Sequence, residues 1–286
     1  MSDVRDAAAP STAQDNSPEA TGAFIWYELM TDDPAGAGEF YGSVIGWDIP
    51  PRGQGMPNGS EYRVITRSDG GSAGGVLTIG DEMKRHGTKP GWFPYIHTPD
   101  IDATCAALAD AGGAVHLPPT DMGVGRIAMV SDPWGAVFYV MDPRPPEDDP
   151  DARSDVFDYR AAQRVRWNEI WSPDPDRAAQ LYCDLFGWRQ EGNMPMGERG
   201  EYLFLYRGEG MVGAAGPMLP AGRGARWDIF IGVDDIDRAA QAVTAGGGTL
   251  NGEIGEIPGG EFSVEAKDPQ GAAFGLVGPR REKEEG

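Results

Sequence analysis

The chain repeats itself, and that repeat constrains its fold more than any other feature. The stretch FIWYELMTDDPAGAGEFYGSVIGWDI, beginning at Phe24, aligns without gaps on VRWNEIWSPDPDRAAQLYCDLFGWRQ, beginning at Val165. Trp26 falls on Trp167, Glu28 on Glu169, Asp33-Pro34 on Asp174-Pro175, Tyr41 on Tyr182, and Gly46-Trp47 on Gly187-Trp188. Further on, Trp92 and Asp100-Ile101-Asp102 return as Trp227 and Asp235-Ile236-Asp237. Asp132-Pro133-Trp134-Gly135-Ala136 returns as Asp268-Pro269-Gln270-Gly271-Ala272. Three blocks in one order, at nearly constant offset, define a duplication. The Pro- and Asp-rich segment between the copies reads as a linker over residues 146–160, leaving copies at 23–145 and 161–279.

A length of 286 residues gives each copy room for its own core. The net charge of −21 excludes nucleic acid and anionic membranes as partners, since both would repel the chain. The two cysteines, Cys105 and Cys183, fall in helix-like stretches of different copies, so they are expected to pack rather than pair, in a reducing cytoplasm. No apolar run reaches spanning length. Residues 1–22 lack the apolar segment of a signal peptide and are expected to form a tail, with a charged end at 280–286.

Each copy carries a finer rhythm. A strand over Phe24–Met30 meets an Asp-Pro turn and a helix running to Tyr41, which Gly46-Trp47 stops. Strands follow at Tyr62–Thr66 and Gly75–Ile79. The pattern restarts with a strand at Trp92–His97, a helix at Ile101–Ala111, and strands at Arg126–Val130 and Ala136–Met141. It reads as βαβββ twice per copy, an α+β chain.

The segments "FYGSVIGW", "LYCDLFGW", "DPWGAVFYV" and "DPQGAAFGL" in this setting resemble the vicinal oxygen chelate superfamily, which holds glyoxalases, bleomycin-resistance proteins and extradiol dioxygenases. The similarity looks closest to its tandem actinobacterial members. It implies paired βαβββ modules curled into half-open barrels, each with a concave cavity. Metal-using members place His and Glu ligands on four strands of that cavity. Carried over residue by residue, those positions hold Trp26, Phe93 and Tyr139 in the first copy, and Trp167, Asp228 and Gly275 in the second. The remaining ligand strands, Gly74–Ile79 and Met211–Met218, offer neither carboxylate nor imidazole. Indole and phenyl do not ligate a divalent cation, so neither a metal nor another cofactor is expected.

Side chains alternate along a strand, which puts Trp26 with Glu28, and Phe93 with Tyr95 and His97, on single faces. If these faces are concave, each copy holds an aromatic pocket suited to a small organic ligand, with Trp26, Phe93, Tyr95, Arg126, Trp167, Glu169 and Asp228 as its candidate walls. For the two tryptophans, core packing is an equal reading. His97, Tyr139 and Glu28 are the candidate acid/base cluster of the first copy, against the plainer reading of a strand cap, a core phenol and an ion-paired carboxylate. The leading expectation is a metal-independent small-molecule protein, acting by sequestration or by proton-transfer or rearrangement chemistry. A metal-dependent isomerase, lyase or dioxygenase with unorthodox ligands, and a structural protein with filled cups, stand as alternatives. A monomer with its copies packed together is expected.

Overall fold

The computed structural model describes residues 21–56, 59–150, 152–218 and 224–281. The first copy runs β1 (Phe24–Thr31), α1 (Pro34–Ile45), β2 (Gln54–Gly55), β3 (Glu61–Thr66), β4 (Ser72–Thr78), α2 (Asp81–Arg85), β5 (Gly91–His97), α3 (Ile101–Asp110), β6 (Ala114–Asp121), β7 (Gly125–Ser131) and β8 (Val137–Pro143). The second runs β9 (Val165–Ser172), α4 (Pro175–Phe186), β10 (Arg189–Pro195), β11 (Glu201–Arg207), β12 (Gly210–Pro217), β13 (Arg226–Gly232), α5 (Ile236–Ala245), β14 (Thr249–Ile257), β15 (Glu261–Lys267) and β16 (Ala273–Gly278).

The repeated motifs explain the repeated elements. Asp33 caps α1 by accepting the Gly36 N–H, Pro34 opens the helix, and Gly46 closes it in the left-handed region at φ 85°. Asp174, Pro175 and Gly187, the last at φ 66°, do the same for α4. α1 extends to Ile45, one turn past the expected Tyr41, because Val44 and Ile45 are buried with the rest of its apolar face. β6 and β14 escape sequence reading because both are mostly exposed, and β6 carries Pro118-Pro119.

Each copy forms one eight-stranded mixed sheet, ordered β2-β3-β4-β1-β5-β8-β7-β6 and β10-β11-β12-β9-β13-β16-β15-β14. In each, the first strands of the two modules pair antiparallel, β1 with β5 and β9 with β13, and neither sheet closes into a barrel. The face bearing Tyr27, Leu29, Trp92 and Ile96 packs under the helices, in a core continuous with its counterpart from the other copy. The opposite face, bearing Met30, Tyr95 and Tyr139, forms a separate apolar cluster in the first copy. That second face is the cup.

The closing Asp-Pro motif joins the copies. Asp132 Oδ1 accepts the Trp134 and Ala136 N–H groups and so builds its own turn, leaving Oδ2 for the Tyr182 hydroxyl of the other copy at 3.2 Å. Asp268 repeats the turn and takes the Tyr41 hydroxyl at 3.2 Å. Trp227 and Trp92 donate their indole N–H to the same two phenols. The residues most visibly repeated in the sequence therefore include a reciprocal clasp between copies. Tyr182→Phe strips a buried carboxylate and a buried indole of one partner each. It is expected to cost about 1–3 kcal/mol, read as a lower urea midpoint at unchanged slope. An unchanged midpoint would show that the clasp contributes nothing.

The segment expected as a linker is docked over its second half. Val156 and Phe157 are buried, Phe157 bridges to Val165, and Asp155 bonds Arg67 at 2.6 Å and Arg164 at 2.7 Å. Residues 1–20, expected as a tail, lie outside the described residues, as do 282–286 of the charged end. Thr21 and Gly22 are tied down, accepting from Arg207 and from the Trp188 indole. Among the described residues no helix is long and apolar enough to cross a membrane.

Candidate functional site

Strand pairing places the site residues. In the first copy Glu28 stands opposite Phe93 on β5 and Gly75 on β4, Trp26 opposite Tyr95, and Tyr95 opposite Tyr139 on β8. In the second, Glu169 stands opposite Asp228 and Ala214, Trp167 opposite Phe230, and Phe230 opposite Gly275. Both cups share a unit that the sequence reading missed. Trp26 donates its indole N–H to the Tyr62 hydroxyl at 2.7 Å, and Trp167 donates to Tyr202 at 2.6 Å. The signal was present: Glu61-Tyr62 recurs as Glu201-Tyr202 at nearly the offset of the aligned blocks.

From this shared unit the cups diverge. In the first, Glu28 is 3 % exposed and takes the Tyr95 hydroxyl at 3.0 Å, with the Tyr139 phenol close by. Tyr95 and Tyr139 stack at 4.2 Å between ring centroids, 16° from parallel. Burial raises the Glu28 carboxyl to about 7, and the two phenols partly offset that rise. In the second, Glu169 is 9 % exposed and accepts the Tyr202 hydroxyl at 2.5 Å. Burial, with a smaller push from the charges of Asp228 and Glu265, raises Glu169 to about 8.

The phenols that surround Glu28 have no counterpart around Glu169, because Phe230 and Gly275 replace Tyr95 and Tyr139. Gly275 lets the Phe230 ring lie flat against its backbone: a Cβ there would meet Phe230 Cδ1 at 2.2 Å. Beside them lies a cavity of about 510 Å³, walled by Trp167, Trp171, Tyr202, Phe204, Phe230 and Met211, with Glu169 among its lining residues. A volume of that size suits a drug-sized organic molecule.

The other sequence candidates separate. Glu28, Tyr95 and Tyr139 come together, with Phe93 and Trp26 packed alongside. His97 is buried at the end of β5, four residues past Phe93, which places it ~13 Å along the strand from Glu28's neighbour. It stands opposite Met141, two residues past Tyr139, and so lies toward the far end of the strand from Glu28. Arg126 lies on the helix side of β7, bonded to Asp102 of α3 at 2.8 Å, and is not brought into the cup. Asp228 stands beside Glu169 but takes the Arg226 guanidinium at 2.8 Å. Cys105 is buried and Cys183 half-buried, both unpaired with any sulfur, as expected of packing residues.

A divalent ion would need three or four donors converging on one cup. At the positions in question the first copy offers indole, phenyl and phenol. The second offers indole, no side chain, and one carboxylate already held by a guanidinium. Among the described residues no three of His, Cys, Asp and Glu are grouped to hold an ion. At the positions where the family's metal-using members place their ligands, neither cup offers a donor set that fits a resident metal.

Paired βαβββ modules joined through their first strands, with a ligand-sized cavity on the face away from the helices, define a tandem two-domain protein of the cup-shaped α+β class. The chain belongs to the Glyoxalase/Bleomycin resistance protein/Dioxygenase superfamily, whose profile matches residues 23–140 and 164–276. It is 30% identical over 260 residues to CFP32 of Mycobacterium tuberculosis (strain CDC 1551 / Oshkosh), whose name describes it provisionally as a glyoxylase; the match covers 89% of this chain and 94% of that one. It is 26% identical over 277 residues to the anthracycline biosynthesis protein DauV of Streptomyces sp. (strain C5), covering 90% and 94%. Among solved structures, the Mn(II)-bound glyoxalase of Novosphingobium aromaticivorans superposes with a TM-score of 0.59 at 16% identity, over 92% of this chain and 84% of that one. Homoprotocatechuate 2,3-dioxygenase of Brevibacterium fuscum gives 0.60 at 14%, over 98% and 87%. At such identities the likeness is one of fold alone.

Proposed function

We propose that this protein binds an aromatic small molecule in its second cup, without a metal, and that Glu169 exchanges a proton with the bound molecule. The observation that carries this reading is the cavity of about 510 Å³, with aromatic walls closing around a buried carboxyl. With a carboxyl raised to about 8, Glu169 is largely protonated at neutral pH, a donor held ready by the Tyr202 hydroxyl. A general acid whose affinity for protons lies near ambient pH can also take the proton back, which suits a transfer or rearrangement step. Trp167 fixes Tyr202 through its indole, so one repeated tryptophan serves as both wall and positioning residue. Two relatives, DauV and DnrV, are named for anthracycline biosynthesis, and anthracyclines are fused-ring aromatic molecules, which accords with this reading.

The first cup is proposed as a filled twin. Its Glu28 is enclosed by the stacked phenols, where the second cup has a ring folded flat beside a glycine. The test is a titration with acridine, a neutral three-ring probe, followed by its own fluorescence in the presence of chelator. Saturable binding is expected, weakened about tenfold or more in Trp167→Phe and unchanged in Trp26→Phe. Absence of a saturable response, or loss in Trp26→Phe instead, would overturn the assignment.

A further inference from the structure

We propose that the natural occupant of the second cup is a cation, an aromatic molecule carrying a protonated amine. The inference rests on the preceding reading of that cup and adds the charge of what enters it. Carboxylates reach the same cavity from three separate strands: Glu169 from β9, Glu253 from β14, and Glu265 from β15. A fourth, Glu261, is neutralised within the lining. Arg166 holds it with two hydrogen bonds, at 2.6 and 3.0 Å, and gives its Nε–H to the Tyr159 carbonyl.

That pairing engages the guanidinium of the wall, so it is not available to an anionic ligand. Glu265 receives only the uncharged amide of Asn251, at 2.7 Å, and Glu253 stands exposed at the rim. Deeper in, Glu169 is nine-tenths buried and takes the Tyr202 hydroxyl on Oε1, with the Trp171 indole beside the carboxyl. An ammonium brought beside Glu169 favours the ionised form of its carboxyl, and the oxygen that gives up the proton then accepts the ammonium N–H.

The walls favour the same charge. Aromatic faces are electron-rich and attract cations, most strongly where water is excluded. This cup shows the effect internally, since the Arg226 guanidinium already lies 5.7 Å from the centroid of Trp171, a wall residue. With Arg166 and Glu261 cancelling, the lining keeps Glu253 and Glu265 as net negative charge, within a chain whose overall charge is −21. An anionic aromatic would face those carboxylates with no unengaged base among the described lining residues to meet it. A neutral one would gain stacking alone.

Three probes of one shape separate charge from shape: 9-aminoacridine (cationic), acridine (neutral) and acridine-9-carboxylate (anionic). Each is titrated into the full chain at pH 7.5 and low salt. 9-Aminoacridine is expected to bind about tenfold or more tighter than acridine, with the carboxylate weakest. The double variant Glu253→Gln, Glu265→Gln should weaken 9-aminoacridine by about tenfold and move acridine by less than twofold. If acridine binds as tightly as 9-aminoacridine, or the double variant keeps full affinity for the cation, the charge assignment is wrong and the cup remains a neutral-ligand site. The second of those results would trace the cation's advantage to the acidic surface at large. If none of the three binds, the cup's assignment as a ligand site fails along with it.

Discussion

Gly275→Tyr is expected to abolish ligand binding in the second cup, lowering acridine affinity at least ~100-fold, while the chain stays folded. Both copies supply the reason. In the first, Tyr139 stands at this position and Tyr95 stacks on it at 4.2 Å, with the Tyr95 hydroxyl on Glu28. In the second, the Phe230 ring occupies the space a side chain at 275 would need, 2.2 Å from a Cβ. A tyrosine there displaces Phe230 toward the cavity and adds its own ring to the same volume. The second cup would then be packed as the first one is. Overpacking of this kind costs about 1–3 kcal/mol, so thermal melting should show a modest drop rather than collapse. Retained binding in a folded Gly275→Tyr protein would place the ligand elsewhere.

Glu28→Gln and Glu169→Gln are expected to stabilise the protein at pH 8.5 and leave it nearly unchanged at pH 4. Folding raises these carboxyls from 4.5 to about 7 and about 8. The folded state therefore binds more protons than the unfolded state between those limits, so stability falls as pH rises through that window and levels off above it. A tenfold change in proton affinity corresponds to about 1.4 kcal/mol, which puts the loss on the order of 3 kcal/mol for Glu28 and 5 kcal/mol for Glu169. Glutamine keeps an acceptor for the phenols and has no charge to bury, so each variant removes its share of the slope. Burial raises Asp132 and Asp268 in the same direction, so part of the decline persists in both variants. Asp69, lowered chiefly by its hydrogen bonds with the Gly71 N–H and Arg67, acts oppositely, its contribution fading as pH drops below the ordinary aspartate range. Wild-type stability should peak near pH 5. Urea midpoints across pH 4 to 9 decide it: a flat or rising profile toward pH 8.5, or no gain in either variant there, would show that these acids are solvated.

Much of the architecture was legible in the sequence because it depends on motifs that act locally. An aspartate cap, a proline at the first turn and a left-handed glycine mark α1 and α4 wherever they occur. The strand faces followed from alternation, which put Trp26 with Glu28 and Phe93 with Tyr95 correctly. What stayed hidden depends on pairing between distant strands. Tyr62 and Tyr202 reach the tryptophans from two strands away in the sheet, and a face pattern alone cannot show which phenol meets which indole. Arg126 and Asp102 lie 24 residues apart, and only the packing of α3 on β7 brings them together outside the cup. His97 shares a face with Tyr95, yet a shared face says nothing of distance along the strand. The difference between the copies was visible as Tyr139 against Gly275, but its consequence required seeing where Phe230 goes. The sequence marked the first copy as the more polar and left open which cup acts, since Gly232 and Gly275 could equally make the second one roomier. Our assignment to the second rests on the cavity beside Glu169, where fewer hydroxyls surround the carboxyl.

Calorimetric titration of chelator-stripped protein with acridine tests the central claim most directly. The claim is one open cup per chain, working without an ion. Binding should saturate at one equivalent per chain, with the same affinity before and after addition of Mn(II), Fe(II) or Zn(II). Two equivalents per chain, or binding that develops only once a metal is supplied, would contradict it.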